Sequence, residues 1–385
     1  MDLSVCLVME WHPSSVGGVQ AHVRDLAVWL SRRGFTVSVI SRRVGLADLR
    51  FQESEGYYIV DSLIPLDYIL VPPDPRSIED AIVKLKPDVV HSHHIFTLTP
   101  LFALKVASEL GIARVATNHT LFLAHDFRTF WSIASLLLPT RYYLEYAQAV
   151  ISVSKVADEF VESIMGVDFK ARRFIIPNAV DTSKFTPPAR EPEDDIVLFV
   201  GRLVYRKGLH VLVKALQRIR SRDFKLYVIG GGYMELPVKI LAKAYGVEDR
   251  MKLLGVVSER DKVELYRRAK IVVVPSIFNE SFGIVALEAM ASGRPVIASR
   301  VGGLEDVVVN GETGILVEPG SEEQLAEAIE TLLGDEGYRR RLGANARRLV
   351  EEKYSWDAII DRIIDVYNYT VTLEDTTPQS KTTNY

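Results

Sequence analysis

Short apolar runs alternate with amphipathic stretches along most of the chain. Residues 5–9 form an apolar run of strand length, followed by a loop at 10–18. Val19, Val23, Leu26, Ala27 and Leu30 then fall on one face of a helix that stops at Gly34. Residues 36–40 repeat the strand pattern. A helix to Lys86, a strand at 88–91, a helix at 99–110, strands at 113–117 and 150–153 and a helix from Ser154 continue the series. This alternation predicts a parallel sheet with helices on both faces.

The pattern breaks at Pro177-Asn-Ala-Val-Asp181 and stays broken through Pro187-Pro-Ala-Arg-Glu-Pro-Glu-Asp-Asp195, which is rich in proline and acid. It then restarts with a strand at 196–200, a helix at 209–220, a strand at 225–229, the turn Gly230-Gly-Gly232 and a helix near 236–245. Strands at 252–254, 271–274, 296–298 and 314–317, with helices from Ser321 onward, complete a second sheet. The predicted organisation is α/β, with two doubly wound Rossmann-like domains facing across a cleft. The first spans residues 1–178, a linker 179–194 and the second 195–355. A helix at 356–370 is expected to pack back on the first domain, before a disordered polar tail at 371–385. Loops and helix N-termini converge at the carboxyl ends of such sheets, so the chemistry is expected in the loops after strands.

Composition narrows the picture. At 385 residues and 48% apolar, the chain suits two cores rather than one. A net charge of −4 gives no electrostatic argument for nucleic acid. The single cysteine, Cys6, sits in the first apolar run, so neither a disulfide framework nor a thiolate metal site is expected. No signal-peptide pattern and no apolar stretch of about 18 residues is evident, which predicts a soluble, cytoplasmic protein.

Four constellations fall in post-strand loops. Asn279-Glu-Ser-Phe-Gly-Ile-Val-Ala-Leu-Glu288 places Glu280 on a loop and Glu288 about two turns into a helix ending at Gly293. Unpartnered N–H groups at the helix start favour an anion, so carboxylates beside them suit a ligand with phosphates and hydroxyls, such as a nucleotide-sugar. Gly201-Arg-Leu-Val-Tyr-Arg-Lys-Gly208 sets Arg202 and Lys207 on one turn, where they can neutralise a diphosphate leaving group; Arg206 is expected to be solvated. Gly17 and Gly18 permit close backbone approach to a ligand, or form a tight turn only. Ser299-Arg-Val-Gly-Gly303 is another such glycine turn.

Histidines also gather after strands: His91, His93, His94 and His119. No carboxylate or cysteine accompanies them at a familiar ligand spacing, and no Asp-x-Asp motif occurs, so no metal site is expected. His119 can hydrogen-bond a sugar hydroxyl or the reacting centre, or serve as a buried structural histidine. The dinucleotide fingerprint G-x-G-x-x-G is missing after the first strand, which argues against a dehydrogenase.

Taken together, these motifs resemble the retaining family-4 glycosyltransferases of GT-B fold, nearly end to end. The likeness is carried by Glu280-x7-Glu288, Arg202-x4-Lys207 and Ile176-Pro-Asn-Ala-Val-Asp181. It implies that Glu280 contacts donor-sugar hydroxyls, Glu288 holds the ribose, and Arg202 and Lys207 hold the diphosphate. It also implies that His119 lies near the anomeric carbon and that backbone around Phe282, Gly283 and Ile284 meets the donor. Gly17 and Gly18 are counted with the donor site on their turn alone, which lets backbone approach a ligand before a helix start. No cofactor or metal is implied; the UDP-sugar is a co-substrate.

A narrower likeness to the catalytic subunit of phosphatidylinositol N-acetylglucosaminyltransferase rests on His91-Ser-His93, Asn118-His-Thr-Leu-Phe122 and Arg202-Leu-Val-Tyr-Arg-Lys-Gly208. It implies a UDP-sugar donor and a lipid acceptor. The chain departs from that enzyme in its polar C-terminal stretch and in Gln20, where relatives often have glutamate. Phe127, Phe130, Trp131 and Leu136–Leu138 beside Arg128 and Arg141 suit peripheral contact with an anionic membrane, or a buried helix face. The expected activity is transfer of a hexose or N-acetylhexosamine to a lipid-linked or glycan acceptor. A UDP-sugar epimerase and a non-catalytic nucleotide-sugar-binding subunit stay open as alternatives.

Overall fold

The computed structural model describes residues 3–13, 15, 17–42, 57–60, 72–121, 139–220 and 224–376. The chain divides into two compact units, Met1–Pro177 with Ile359–Tyr385, and Asn178–Ala358.

Among the described residues, seven parallel strands build the first unit: β1 (Ser4–Met9), β2 (Thr36–Arg42), β3 (Tyr57–Val60), β4 (Val89–His93), β5 (Ala113–Asn118), β6 (Ala149–Ser152) and β7 (Arg172–Ile175). Their spatial order is β3-β2-β1-β4-β5-β6-β7, with every pair parallel. The inner strands are apolar on both faces because helices cover both. Cys6, Val8, Ile40 and Val90 pack against Ile78, Ile82, Ala103 and Ala107 on one side. Burial pushes the Cys6 thiol up to about 12, which leaves it unreactive. Hydropathy did not anticipate β3 or β7. Both are edge strands; β7 (Arg-Arg-Phe-Ile) has no fully buried residue and needs no apolar run, whereas β3 (Tyr-Tyr-Ile-Val) carries a four-residue strand-type pattern that the sequence reading passed over.

The last helix, Trp356–Thr376, continues beyond Thr370, where a disordered tail was expected to begin. Glu374 supplies the reason, since Arg114 and Gln148 both donate to its carboxylate, at 2.5 and 2.7 Å. Tyr367 from the same helix is fully buried beside β4.

The second unit holds β8 (Ile196–Val200), β9 (Lys225–Ile229), β10 (Met251–Gly255), β11 (Ile271–Val274), β12 (Val296–Ser299) and β13 (Gly314–Val317). They are ordered β10-β9-β8-β11-β12-β13, again all parallel. Val197, Phe199, Leu226, Val228, Ile271 and Val273 form its core with Leu212, Leu216, Ile329 and Leu332 from two covering helices. In both sheets the strand order reverses beside the first strand, between β1 and β4 and between β8 and β11. Loops leaving such a pair diverge to opposite faces and open a crevice at their carboxyl ends.

Residues 179–194 are not a free linker but belong to the second unit. Glu191 accepts from Arg294 (3.5 Å) and Arg339 (3.1 Å), and Arg347 donates to the carbonyls of Thr182, Phe185 and Ala291. Among the described residues no helix is long and apolar enough to cross a membrane. The aromatic part of the expected membrane-facing segment, residues 122–138, lies outside the described residues.

Glu191→Ala leaves two arginines, 4% and 3% exposed, without their carboxylate. The expected cost is about 3 kcal/mol, the lower end for breaking a buried ion pair from one side. Urea unfolding measures it; an unchanged midpoint would mean that this stretch is anchored by other contacts.

Candidate functional site

The loops after β8 and β11 touch, because these strands are neighbours. Gly208 makes the contact possible: its φ is +71°, and a Cβ there would sit 1.8 Å from the Pro275 carbonyl oxygen. Ile277 N–H donates to the Arg206 carbonyl at 2.7 Å, fastening one loop to the other. Lys207, on the short turn Tyr205–Lys207, thereby reaches Glu280, its Nζ lying 2.5 Å from Oε2. Ser276 Oγ donates to the same oxygen at 2.8 Å.

Glu280 is 7% exposed. Burial alone would raise its pKa. The Lys207 charge and hydrogen bond outweigh that, with Arg206 and Ser276 adding, and hold it below its ordinary 4.5. Burial also draws Lys207 down from 10.5 against the pull of Glu280. The depression on Glu280 is the shift that reports the contact.

Arg206, expected to be solvated, is not, while Arg202 stays available for the part expected of it. Arg206 is half-buried and donates to the Asn279 carbonyl at 2.9 Å, so it braces the glutamate loop, whereas Arg202 is exposed. An exposed guanidinium suits a phosphate ligand better than one already bound to backbone.

Past Glu280, Gly283 caps the helix Ile284–Ala291 with φ +104° and brings no side-chain acceptor to the first-turn N–H groups. Those donors favour an anion. Phe282 is buried and meets the Tyr354 ring, so only its backbone can serve a ligand. The Ser299-Arg-Val-Gly-Gly303 turn closes from behind, with Gly303 N–H donating to the Glu280 carbonyl at 3.0 Å.

Glu288 lies little more than one turn into that helix, nearer its start than expected. It forms a second buried cluster. Lys262 Nζ is 2.6 Å from Oε1, and Tyr266 OH donates to Oε2 at 2.8 Å. Burial would pull Lys262 down, but Glu288 and then Glu259 raise it above its ordinary value. Burial, reinforced by Glu288, raises Tyr266 well above 10.0, so it stays a donor. Sequence reasoning missed both partners. Their i, i+4 spacing on the helix Glu259–Arg268 marks one face but does not say what that face meets.

In the first unit, His119 follows β5 and shares a hydrogen bond with His93, Nδ1 to Nε2, at 3.2 Å. His22, from the helix Gly18–Arg32, adjoins both, with ring centroids 5.0 Å from His119 and 5.8 Å from His93. That residue was also missed; it shares a helix face with Gly18 one turn earlier. His91 lies inside β4, held by Tyr367 OH at 2.7 Å and Thr117 Oγ1 at 2.6 Å. Burial holds His22 near 4 and His91 near 3, and keeps His93 and His119 well below 6.5. His119 is therefore a neutral hydrogen-bonding group at physiological pH. Gly17 caps the helix in extended backbone, and Gln20 lies so close that a Cβ at Gly17 would fall 2.1 Å from its Oε1.

Two family models match the chain: glycosyl transferases group 1 over residues 181–349, and glycosyltransferase family 4 over residues 16–184. An uncharacterized glycosyltransferase of Methanocaldococcus jannaschii is 30% identical over 377 residues, covering 93% of this chain and 96% of the relative. A D-inositol 3-phosphate glycosyltransferase of Rhodococcus jostii is 29% identical over 386 residues, covering 91% and 84%. Sucrose-phosphate synthase from Thermosynechococcus elongatus superposes with a TM-score of 0.81 at 26% identity, over 96% of this chain and 100% of that one. The two parallel-sheet units match the GT-B architecture of glycosyltransferases.

The depressed Glu280 pKa has a pH signature. Its contribution to stability is complete above the unfolded value of 4.5 and is lost as pH falls through the lower folded value. The stability gap between wild type and Glu280→Gln is therefore expected to be widest above pH 4.5 and to close in stronger acid. Denaturant unfolding at stepped pH measures the gap; one that does not change with pH would mean that Glu280 titrates alike folded and unfolded.

Proposed function

The chain belongs to the group 1 and family 4 glycosyltransferases, and from that premise we propose a retaining, metal-independent transfer of a hexose or N-acetylhexosamine from a UDP-sugar to a lipid-linked, inositol-bearing acceptor. The observation that carries the reading is the Lys207–Glu280 pair beside the open helix N-terminus at Gly283. It sets a fixed cation and an anion-favouring set of N–H groups next to a buried carboxylate.

On this reading Lys207, exposed Arg202 and the first-turn N–H groups receive the diphosphate. Glu280 orients the donor-sugar hydroxyls, and Glu288 takes the ribose. The bond from the anomeric carbon to the β-phosphate oxygen breaks, and its electron pair stays on the departing diphosphate. The acceptor hydroxyl oxygen bonds to the anomeric carbon on the same face, and its proton passes to a diphosphate oxygen. The cations stabilise the charge that develops on the leaving group, the largest electrostatic change in the step. The family resemblance assigns neutral His119 a hydrogen bond to the sugar or the reacting centre.

Two likenesses point to inositol. The Rhodococcus relative bears that acceptor in its name, and His91-Ser-His93 with Asn118-His-Thr-Leu-Phe122 resembles an enzyme acting on an inositol lipid. The lipid part of the proposal rests on the second likeness alone.

Nucleotide release from UDP-, GDP- and ADP-sugars, in EDTA, with phosphatidylinositol vesicles or inositol phosphate, tests the reading. UDP release that rises with an inositol acceptor and ignores EDTA is expected. Epimerised UDP-sugar formed without acceptor would mean an epimerase, and UDP binding without any turnover a binding subunit. Lys207→Ala is expected to lower kcat about 10²–10³-fold, the scale of one lost electrostatic stabiliser. Near-full turnover in a folded Lys207→Ala protein would remove Lys207 from the mechanism.

A further inference from the structure

We propose that His22, His93 and His119 form a transition-metal site in the first unit, taking a borderline divalent cation such as Zn²⁺ or Co²⁺. When filled, it withdraws His119 from the transfer reaction. The second clause rests on the function proposed above; the site itself does not.

Three imidazoles arrive from three elements: the helix Gly18–Arg32, the end of β4 and the loop after β5. Each offers a ring nitrogen, and the three nitrogens lie within 4.8 Å of one another. In a tetrahedral site with metal–nitrogen bonds of about 2.0–2.1 Å, neighbouring ligand nitrogens stand about 3.4 Å apart. His93 Nδ1 and His119 Nε2, at 3.2 Å, already have that spacing. His22 brings a third nitrogen within 4.8 Å of both.

The donor set decides which ions fit. Three neutral nitrogens without a carboxylate suit zinc, cobalt, nickel and copper, and offer nothing that Mg²⁺ or Ca²⁺ prefers. All three rings are nearly inaccessible, at 6%, 0% and 8% exposure. Burial is the first cause that keeps each imidazole unprotonated, so no proton competes for the lone pairs at neutral pH.

The surroundings hold the ligands in place. His91 lies against the His93 ring at 4.1 Å between centroids, and is itself fixed by Tyr367 and Thr117. Such outer contacts orient ligating rings. With no anionic ligand in the set, the double charge is uncompensated.

Metal-stripped full-length protein titrated with Co²⁺ is the test, read by the visible d–d bands of tetrahedral cobalt. One equivalent per chain, displaced by Zn²⁺, is expected. His22→Ala and His93→Gln, checked for native circular dichroism and thermal unfolding, should weaken Co²⁺ binding by at least about 10–100-fold, the loss already typical of an outer-sphere partner. Absent bands, or bands unchanged in both folded variants, would overturn the site and leave a hydrogen-bonded histidine cluster only. Zn²⁺ should also suppress UDP release, and EDTA restore it; full turnover with the site filled would overturn the inhibitory clause. If no donor is turned over at all, the function proposed above fails, while the cobalt titration still decides the site.

Discussion

Lys207 and Glu280 compensate each other's charge where burial has removed most of the water, and the contact between the loops after β8 and β11 makes that pairing possible. A carboxylate 7% exposed has lost most of its water, which costs several kcal/mol unless an opposite charge lies within bonding distance. The partner must come from a different loop, so the two loops have to touch. Gly208 supplies the clearance against Pro275, and Arg206 and Ser276 hold the glutamate loop in register. The outcome is a lysine whose position is set before any ligand arrives, which is the condition for stabilising a developing charge without reorganisation.

The histidine cluster of the first unit solves a similar problem by the opposite route. At the corresponding end of its sheet, polar groups are buried as neutral imidazoles rather than as ion pairs. Hydrogen bonds among His93, His119, His91, Thr117 and Tyr367 replace charge pairing. Neutral rings can meet sugar hydroxyls or metal ions at physiological pH. Charged rings in the same place would repel one another and any cation. Tyr367 also makes the C-terminal helix part of this arrangement, although it lies 276 residues from His91 in the chain.

Most interior elements were legible from hydrophobic period, because a strand buried on both faces reads as a continuous apolar run and a covering helix as a stripe. Strand β7 was not, since an edge strand escapes that demand, and the short Tyr-Tyr-Ile-Val run of β3 was passed over. Helix ends were read from glycine and capping residues, except at the C-terminus, where Glu374 finds a partner in Arg114 that no local signal announces. The acidic stretch after Pro187 looked like a linker because its composition is that of a solvated segment. Glu191 makes it part of the second unit by pairing with two arginines more than a hundred residues later.

At the site, the order of loops and the residues on them are local facts. Arg202, Lys207, Glu280, Glu288 and His119 each follow a strand, and periodicity with turn chemistry acts over a few positions, so the chain alone places them there. Which of two arginines is bound and which is exposed, that Lys207 meets Glu280 across 73 residues, and that Lys262 and Tyr266 neutralise Glu288, are pairings between elements. So is the convergence of His22 on His93 and His119. Only the packed sheet decides them, because desolvation of a polar group and the distance to its compensating partner exist only once strands have become neighbours.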